Sequence, residues 1–364
     1  MQKKIIIAGG GTGGHIFPAI AIANAIKKLA PDTEFLFIGA QGKMEMEKVP
    51  QAGYHIEGLD IAGFNRSNIF KNISLPLKLI RSFLKVKKLV NRFGPDAVIG
   101  VGGYSTFPVL RYAQQKNIPT FIHEANSFAG KSNILLGTRA TKIFVATAGM
   151  EKFFPAAKLM ITGNPVRKSI VDITVSKDQA LQRFGLEKNK ITILVMGGSL
   201  GAKSMNDVIA AHVHEFISLD IQLIWQTGKN NAAAYKERGS VFPNIWVDTF
   251  ITEMEQAYAA ADIVVSRAGA MSVAEICVVK KPAIFVPYPH AAEDHQTVNA
   301  MHLVNKGAAL IVRDQDALKE LFSKMVALAK DTDLQKTLQE KIATLGIANA
   351  DEVVATEILN TIGG

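Results

Sequence analysis

Short apolar runs alternate along the chain with longer stretches in which apolar residues recur every three or four positions. The first run, Ile5, Ile6 and Ile7, is followed by glycines and then by an apolar-periodic segment opened by His15 and Pro18. Further strand-like runs follow at 35–40, 96–103, 120–125 and 141–147, then at 191–198, 221–228, 244–250, 261–269 and 282–289. Helical patterns fill the spaces, and from about residue 314 the chain reads as helices only. This rhythm predicts an α/β protein with parallel sheets. A polar stretch at 167–179 separates two similar series, each with a glycine-rich turn after an early strand, GGGTGG at 9–14 and GGSLGA at 197–202. At 364 residues the chain exceeds what one core usually holds. Two domains are expected, 1–165 and 166–344, with a last helix over about 345–364 able to pack back on the first.

The turn after the first strand carries the earliest chemical signal. Glycines there let the backbone approach a polyanionic or polyhydroxylated ligand, and the helix behind them offers unpaired N–H groups. Gly9, Gly11 and Gly14 satisfy GxGxxG. The second strand, however, ends in Gly39 and Ala40, where a dinucleotide site expects a ribose-binding acid. His15, an ionisable group at the mouth of the turn, suits chemistry on a sugar or phosphoryl substrate better than nicotinamide binding.

Composition narrows the classes. The single cysteine, Cys277, excludes an intramolecular disulfide and any cysteine-rich metal site. No apolar run approaches the ~18 residues of a membrane span, and the N-terminal apolar run is too short for a signal-peptide core. The net charge of +9 is unevenly spread. Residues 1–165 hold 21 Lys and Arg against 9 Asp and Glu, whereas 166–364 hold 20 against 23. The first half therefore expects an anionic partner.

Much of that excess lies between residues 61 and 95, which contain no Asp or Glu. Arg66, Lys71, Lys78, Arg81, Lys85, Lys87, Lys88 and Arg92 accompany Leu75, Leu79, Phe83, Val86, Leu89 and Val90 at helical spacing, preceded by Phe64, Ile69 and Phe70. A basic amphipathic helix of this kind can lie on an anionic membrane face. It can equally be a surface helix whose apolar stripe packs on the sheet. No recognition motif or zinc spacing points to nucleic acid.

Polar clusters recur where strands end. Gly102-Gly103-Tyr104-Ser105 and His123-Glu124-Ala125-Asn126 would join His15 at one crevice. In the second half, Ser199 sits in a turn suited to a phosphate, and Glu275, one turn into a helix, can accept from two ribose hydroxyls. His290, Asp294 and His295 lack zincin spacing, and Asp331-x-Asp333 falls between helices, so neither is read as a metal site. No cofactor is expected. The pattern favours a nucleotide-sugar over NAD or ATP.

The motifs GGTGGHIFPAIA (10–21), HEANSFAG (123–130), GNPVR (163–167), GGSLGA (197–202), SRAGAMSVAE (266–275) and AAEDHQTVNA (291–300) resemble those of the MurG family of peptidoglycan glycosyltransferases, nearly end to end. The resemblance implies a glycosyltransferase B fold of two Rossmann-like domains facing across a cleft. It further implies transfer of N-acetylglucosamine from its UDP derivative to the 4-hydroxyl of undecaprenyl-diphosphate-linked muramoyl-pentapeptide, with inversion and without metal, at the cytoplasmic face of the bacterial cell membrane. His15 is then the expected base, with His123, oriented by Glu124, as its rival. Thr12, Gly13 and Gly14 would lie at the reacting centre and the phosphates, with Tyr104, Ser105 and Asn126 beside the acceptor and Asn126 also among donor contacts. Arg167 and Ser199 would meet the donor phosphates, and main chain near Ile251, with Met254, the uracil. Ala270, Met271 and Ser272 would flank the diphosphate, Glu275 the ribose and Gln296 the sugar hydroxyls. Phe64, Ile69, Phe70, Leu75, Leu79, Arg81, Phe83 and Lys85 would touch the membrane. Ala125 and Leu200 stand where that family usually has glutamine. Two other readings are a UDP-N-acetylglucosamine 2-epimerase and a non-catalytic lipid-surface binding protein.

Overall fold

The computed structural model describes residues 2–61 and 75–363, the side chains of residues 75 and 76 excepted. Contacts divide the chain into two units, Met1–Arg167 with Ala348–Gly364, and Lys168–Ile347.

The first unit runs β1 (Lys4–Ala8), α1 (Gly13–Leu29), β2 (Glu34–Ala40), α2 (Glu45–Gln51), β3 (Ile56–Leu59), α3 (Leu75–Phe93), β4 (Ala97–Gly100), α4 (Thr106–Gln115), β5 (Thr120–Glu124), α5 (Lys131–Gly137), β6 (Lys142–Val145) and β7 (Leu159–Ile161). Its seven strands are parallel, in the order β3-β2-β1-β4-β5-β6-β7. Side chains of a strand alternate between faces, and here both faces are covered. Ile5 and Ile7 pack with Phe37, Ile99, Phe121 and Phe144 on one side, against Ile22 and Ile26 of α1. Ile6 and Ala8 pack with Ile38, Val98 and Ile122 on the other, against Val86 and Leu89 of α3 and Leu110 of α4. Double coverage explains why the strands read as unbroken apolar runs. Truncating fully buried Ile6 to alanine would cost about 2–5 kcal/mol. The last helix of the chain, Ala350–Gly363, belongs to this unit and sets Val354, Ala355 and Ile358 into the α1 side of the core.

The second unit holds α6 (Lys168–Val171), α7 (Lys177–Arg183), β8 (Ile191–Met196), α8 (Lys203–Ala211), α9 (Val213–Ser218), β9 (Ile221–Gln226), α10 (Ala232–Gly239), β10 (Ile245–Asp248), α11 (Met254–Ala260), β11 (Ile263–Ser266), α12 (Ala270–Val278), β12 (Ala283–Phe285), α13 (His295–Val304), β13 (Leu310–Ile311), α14 (Ala317–Lys330) and α15 (Thr332–Ala343); the last helix is α16. The six parallel strands are ordered β10-β9-β8-β11-β12-β13. Both sheets therefore reverse direction of growth beside their first strand, between β1 and β4 and between β8 and β11. Such a switch point is where doubly wound sheets take ligands.

Strands end earlier than the apolar runs suggest. The run 96–103 pairs only over Ala97–Gly100, because Gly102 and Gly103 take positive φ and turn the chain away from the sheet. The polar stretch 167–179 contains the helix α6 and the start of α7, the latter fixed by a capping box in which Ser176 and Gln179 each satisfy the other's backbone N–H. Asp331 of the Asp-x-Asp pair is an N-cap, accepting from Leu334 N–H at 2.8 Å.

Candidate functional site

At the switch point of the first sheet, α1 begins directly behind the glycine turn, with Thr12 exposed as its N-cap and Gly13, Gly14 and His15 in its first turn. Gly10 N–H donates to the Gly102 carbonyl (3.1 Å), tying the ends of β1 and β4 together. The His15 ring lies against Gly102: a Cβ there would sit 2.8 Å from His15 Nε2, and φ is +96°. Only glycine fits. His15 Nδ1 is 3.0 Å from the Gly10 carbonyl. A carbonyl only accepts, so Nδ1 carries the proton and Nε2 is the basic nitrogen of the neutral ring.

His123, at the end of β5, is buried, and among the described residues neither ring nitrogen makes a hydrogen bond of normal geometry. Burial pushes its pKa down to about 4; the nearby Gly163 backbone opposes this in part, and His15 adds a smaller push downward. The ring is therefore neutral at physiological pH.

Glu124 does not orient it. Successive strand residues point to opposite faces, and the Glu124 carboxylate accepts from Asn126 N–H (3.1 Å), Gly130 N–H (3.0 Å) and Asn133 Nδ2 (2.9 Å). It shapes the loop leading into α5 and carries Asn126 with it. Tyr104 is exposed, whereas Ser105 is buried and its hydroxyl has no hydrogen-bond partner among the described residues. Arg167 lies over the Phe17 ring of α1 at 5.0 Å, which places its guanidinium within the first unit.

The second unit repeats the arrangement. Ser199 is exposed in the turn between β8 and α8, its carbonyl accepting from Lys229 N–H at 3.1 Å. Gly269 is the N-cap of α12, so Ala270, Met271 and Ser272 form that helix's first turn. Glu275, one turn on, is buried and accepts from the Tyr258 hydroxyl at 3.1 Å. Gln296 Oε1 accepts from Ala268 N–H (3.2 Å) and Tyr288 N–H (2.9 Å), joining the loops that leave β11 and β12. Arg267 makes ion pairs and hydrogen bonds to Asp314 and to the Val286 and Pro287 carbonyls, which makes it a brace of this corner.

The Ile251 N–H donates to Gln226 Oε1 at 3.0 Å, and Met254, close by, is buried. Gln226 also donates to the Gly198 carbonyl (3.3 Å) and so couples the glycine turn to the loop before α11. Sequence reasoning passed over Gln226; its signal was a polar residue closing the apolar run IQLIWQ.

The basic helix has one apolar stripe on the sheet and another facing outward. Val86, Leu89 and Val90 are core, and Phe83 packs edge-on to Phe107. Lys85 pairs with Glu57 (3.0 Å). The apolar residues that face outward with Leu79 and Arg81 are Leu77, Ile80 and Leu84, the last 64% exposed, and these the sequence reading did not single out. Phe64, Ile69, Phe70 and the Leu75 side chain lie outside the described residues. No helix among those described is long and apolar enough to cross a membrane, and none of their His, Cys, Asp or Glu groups is placed to hold a metal ion.

Residues 5–145 match the glycosyltransferase family 28 N-terminal domain and residues 192–354 its C-terminal domain. The UDP-N-acetylglucosamine–N-acetylmuramyl-(pentapeptide) pyrophosphoryl-undecaprenol N-acetylglucosamine transferase of Cytophaga hutchinsonii is 49% identical, covering 98% of this chain and 97% of its own. A crystal structure of Acinetobacter baumannii MurG superposes with a TM-score of 0.77 at 27% identity, over 98% of this chain and 99% of that one. In fold alone, the Neisseria meningitidis UDP-GlcNAc 2-epimerase, crystallised with UDP-GlcNAc, is also similar (TM-score 0.68, 16% identity, covering 99% of this chain and all of that one). The chain therefore has the two-domain glycosyltransferase B fold and belongs to the MurG family of glycosyltransferases.

Proposed function

We propose that the protein transfers N-acetylglucosamine from UDP-N-acetylglucosamine to the 4-hydroxyl of undecaprenyl-diphosphate-linked muramoyl-pentapeptide, forming a β-1,4 link by one inverting displacement. The second unit takes the donor: Glu275 receives ribose hydroxyls, Gln296 the sugar, and the first turn of α12 with the Ser199 loop receives the diphosphate. The first unit takes the acceptor at the 9–15 turn, beside Tyr104, Ser105 and Asn126, with Arg167 adding positive charge. The observation that carries this is His15, whose Nδ1 is spoken for by Gly10 while Nε2 is left basic at a sheet switch point. His15 removes the hydroxyl proton as UDP departs, helped by N–H donors that meet the charge on the leaving diphosphate. His123, buried and with no hydrogen bond of normal geometry among the described residues, is assigned a supporting place rather than that of the base.

The enzyme acts as a peripheral protein on the cytoplasmic face of the bacterial cell membrane, with Leu77, Ile80 and Leu84 entering the interface and Arg81, Lys87 and Lys88 meeting anionic headgroups.

UDP release from UDP-N-acetylglucosamine, followed with and without the lipid-linked acceptor, tests the assignment. Release that requires the acceptor is expected. A 2-epimerase would convert the donor with no acceptor present, and a binding protein would release no UDP in either arm; both results would end this reading.

A further inference from the structure

Glu45 is a carboxylate only 1% exposed, at the start of α2, and none of the roles above uses it. Its Oε1 accepts from Ala40 N–H (3.0 Å) at the end of β2, and its Oε2 accepts from Gly11 N–H (2.8 Å) in the glycine turn. A Cβ on residue 10 would fall 2.2 Å from the Glu45 carboxyl carbon, so the carboxylate occupies the space a side chain would need. Closing the end of β2 requires only the bond to Ala40. The second bond reaches into the reactive loop.

Gly11 N–H and the Gly10 carbonyl are two ends of one peptide unit. The N–H end is held by Glu45 and the carbonyl end by His15 Nδ1. A carboxylate on the N–H end draws electron density toward the carbonyl oxygen, which makes that oxygen a stronger acceptor. We propose that Glu45 is a positioning residue for His15: through the single Gly10–Gly11 peptide it holds the imidazole in the Nδ1–H tautomer, so that Nε2 is the basic atom. A carboxylate bonded directly to imidazole does this job in other enzymes; here the connection passes through the main chain. The proposal deepens the reading of His15 as base and rests on it.

Glu45→Gln keeps size and shape, yet its one amide oxygen can satisfy only one of the two N–H groups, and the NH2 faces the other as donor against donor. Nitrogen-15 spectra of histidine-labelled protein, with the His15 signal assigned by its loss in His15→Asn, are expected to show Nδ1–H in the wild type and a tautomer mixture in Glu45→Gln. In parallel, kcat should fall about tenfold with the donor KM within about twofold. A wild-type His15 in the Nε2–H form overturns the proposal without any variant having to fold. So does a Glu45→Gln protein whose His15 signal is unchanged, whatever its activity. The base assignment fails separately, if His15→Ala keeps activity within about tenfold of wild type, since general base catalysis contributes ~10²–10⁴.

Discussion

His123 carries the clearest titration consequence at the scale of single residues. Its folded pKa of about 4 lies below the ordinary value of 6.5, so the unfolded chain binds more protons over that interval. Stability is then fully present above pH 6.5 and is lost as pH falls toward 4, by up to roughly 3 kcal/mol. Denaturation of wild type and His123→Phe between pH 7 and 4 should show a steeper fall in the wild type; parallel curves would mean that His123 is charged in the folded state. Neighbouring residues show what a sequence can and cannot disclose. His15 stands out in the sequence because an ionisable group directly after a glycine turn has few other uses. Glu124 looked like its partner in chemistry only because it adjoins His123, and the pleat of β5 sends the two side chains apart. Glu45 and Gln226 were invisible for the opposite reason: their partners, Gly11 and Ile251, are 34 and 25 positions away and meet them only through the sheet.

Among elements, α3 separates pattern from placement. Its apolar residues are numerous enough to form two stripes, and periodicity alone does not say which one meets the sheet. Ser82, Val86, Leu89 and Val90 face inward; Leu77, Ile80 and Leu84 lie three and four positions apart along an outward face. Among the described residues Lys78 pairs with Asp60, and Lys85 and Arg92 approach Glu57, so the α3 cations with no acidic partner there are Arg81, Lys87 and Lys88. Replacing Ile80 and Leu84 by glutamate should weaken sedimentation with anionic vesicles by at least tenfold, because each buried aliphatic side chain is worth about 1.5–3 kcal/mol. Turnover of a short-chain, water-soluble acceptor should be unaffected. Equal vesicle binding by the double variant would move the docking surface elsewhere.

For the whole molecule, the repeated strand order explains why two glycine-marked ligand loops were readable in the sequence, whereas the reaction itself was implied by the family resemblance. Two sheets built alike place their reactive loops at equivalent points, and the glycine turns at 9–14 and 197–202 mark them. The helices after residue 314 do not declare by their periodicity which sheet they cover; the units divide after Arg167 and after Ile347. The chemistry assigned to the second unit also predicts metal independence. On that proposal, peptide N–H groups at the first turn of α12 and in the Ser199 loop balance the departing diphosphate. Activity should survive a chelator, and loss of turnover restored by Mg²⁺ would show that these groups are insufficient.

The return of α16 to the first unit has a consequence for biosynthesis. Val354, Ala355 and Ile358 cover the side of α1 that holds Ile22 and Ile26, and Lys142 meets Glu357 at 2.9 Å. Although residues 1–167 leave the ribosome first, their apolar flank stays uncovered until the intervening 180 residues of the other unit have been translated. The first unit is therefore expected to complete its core only after the closing helix has emerged.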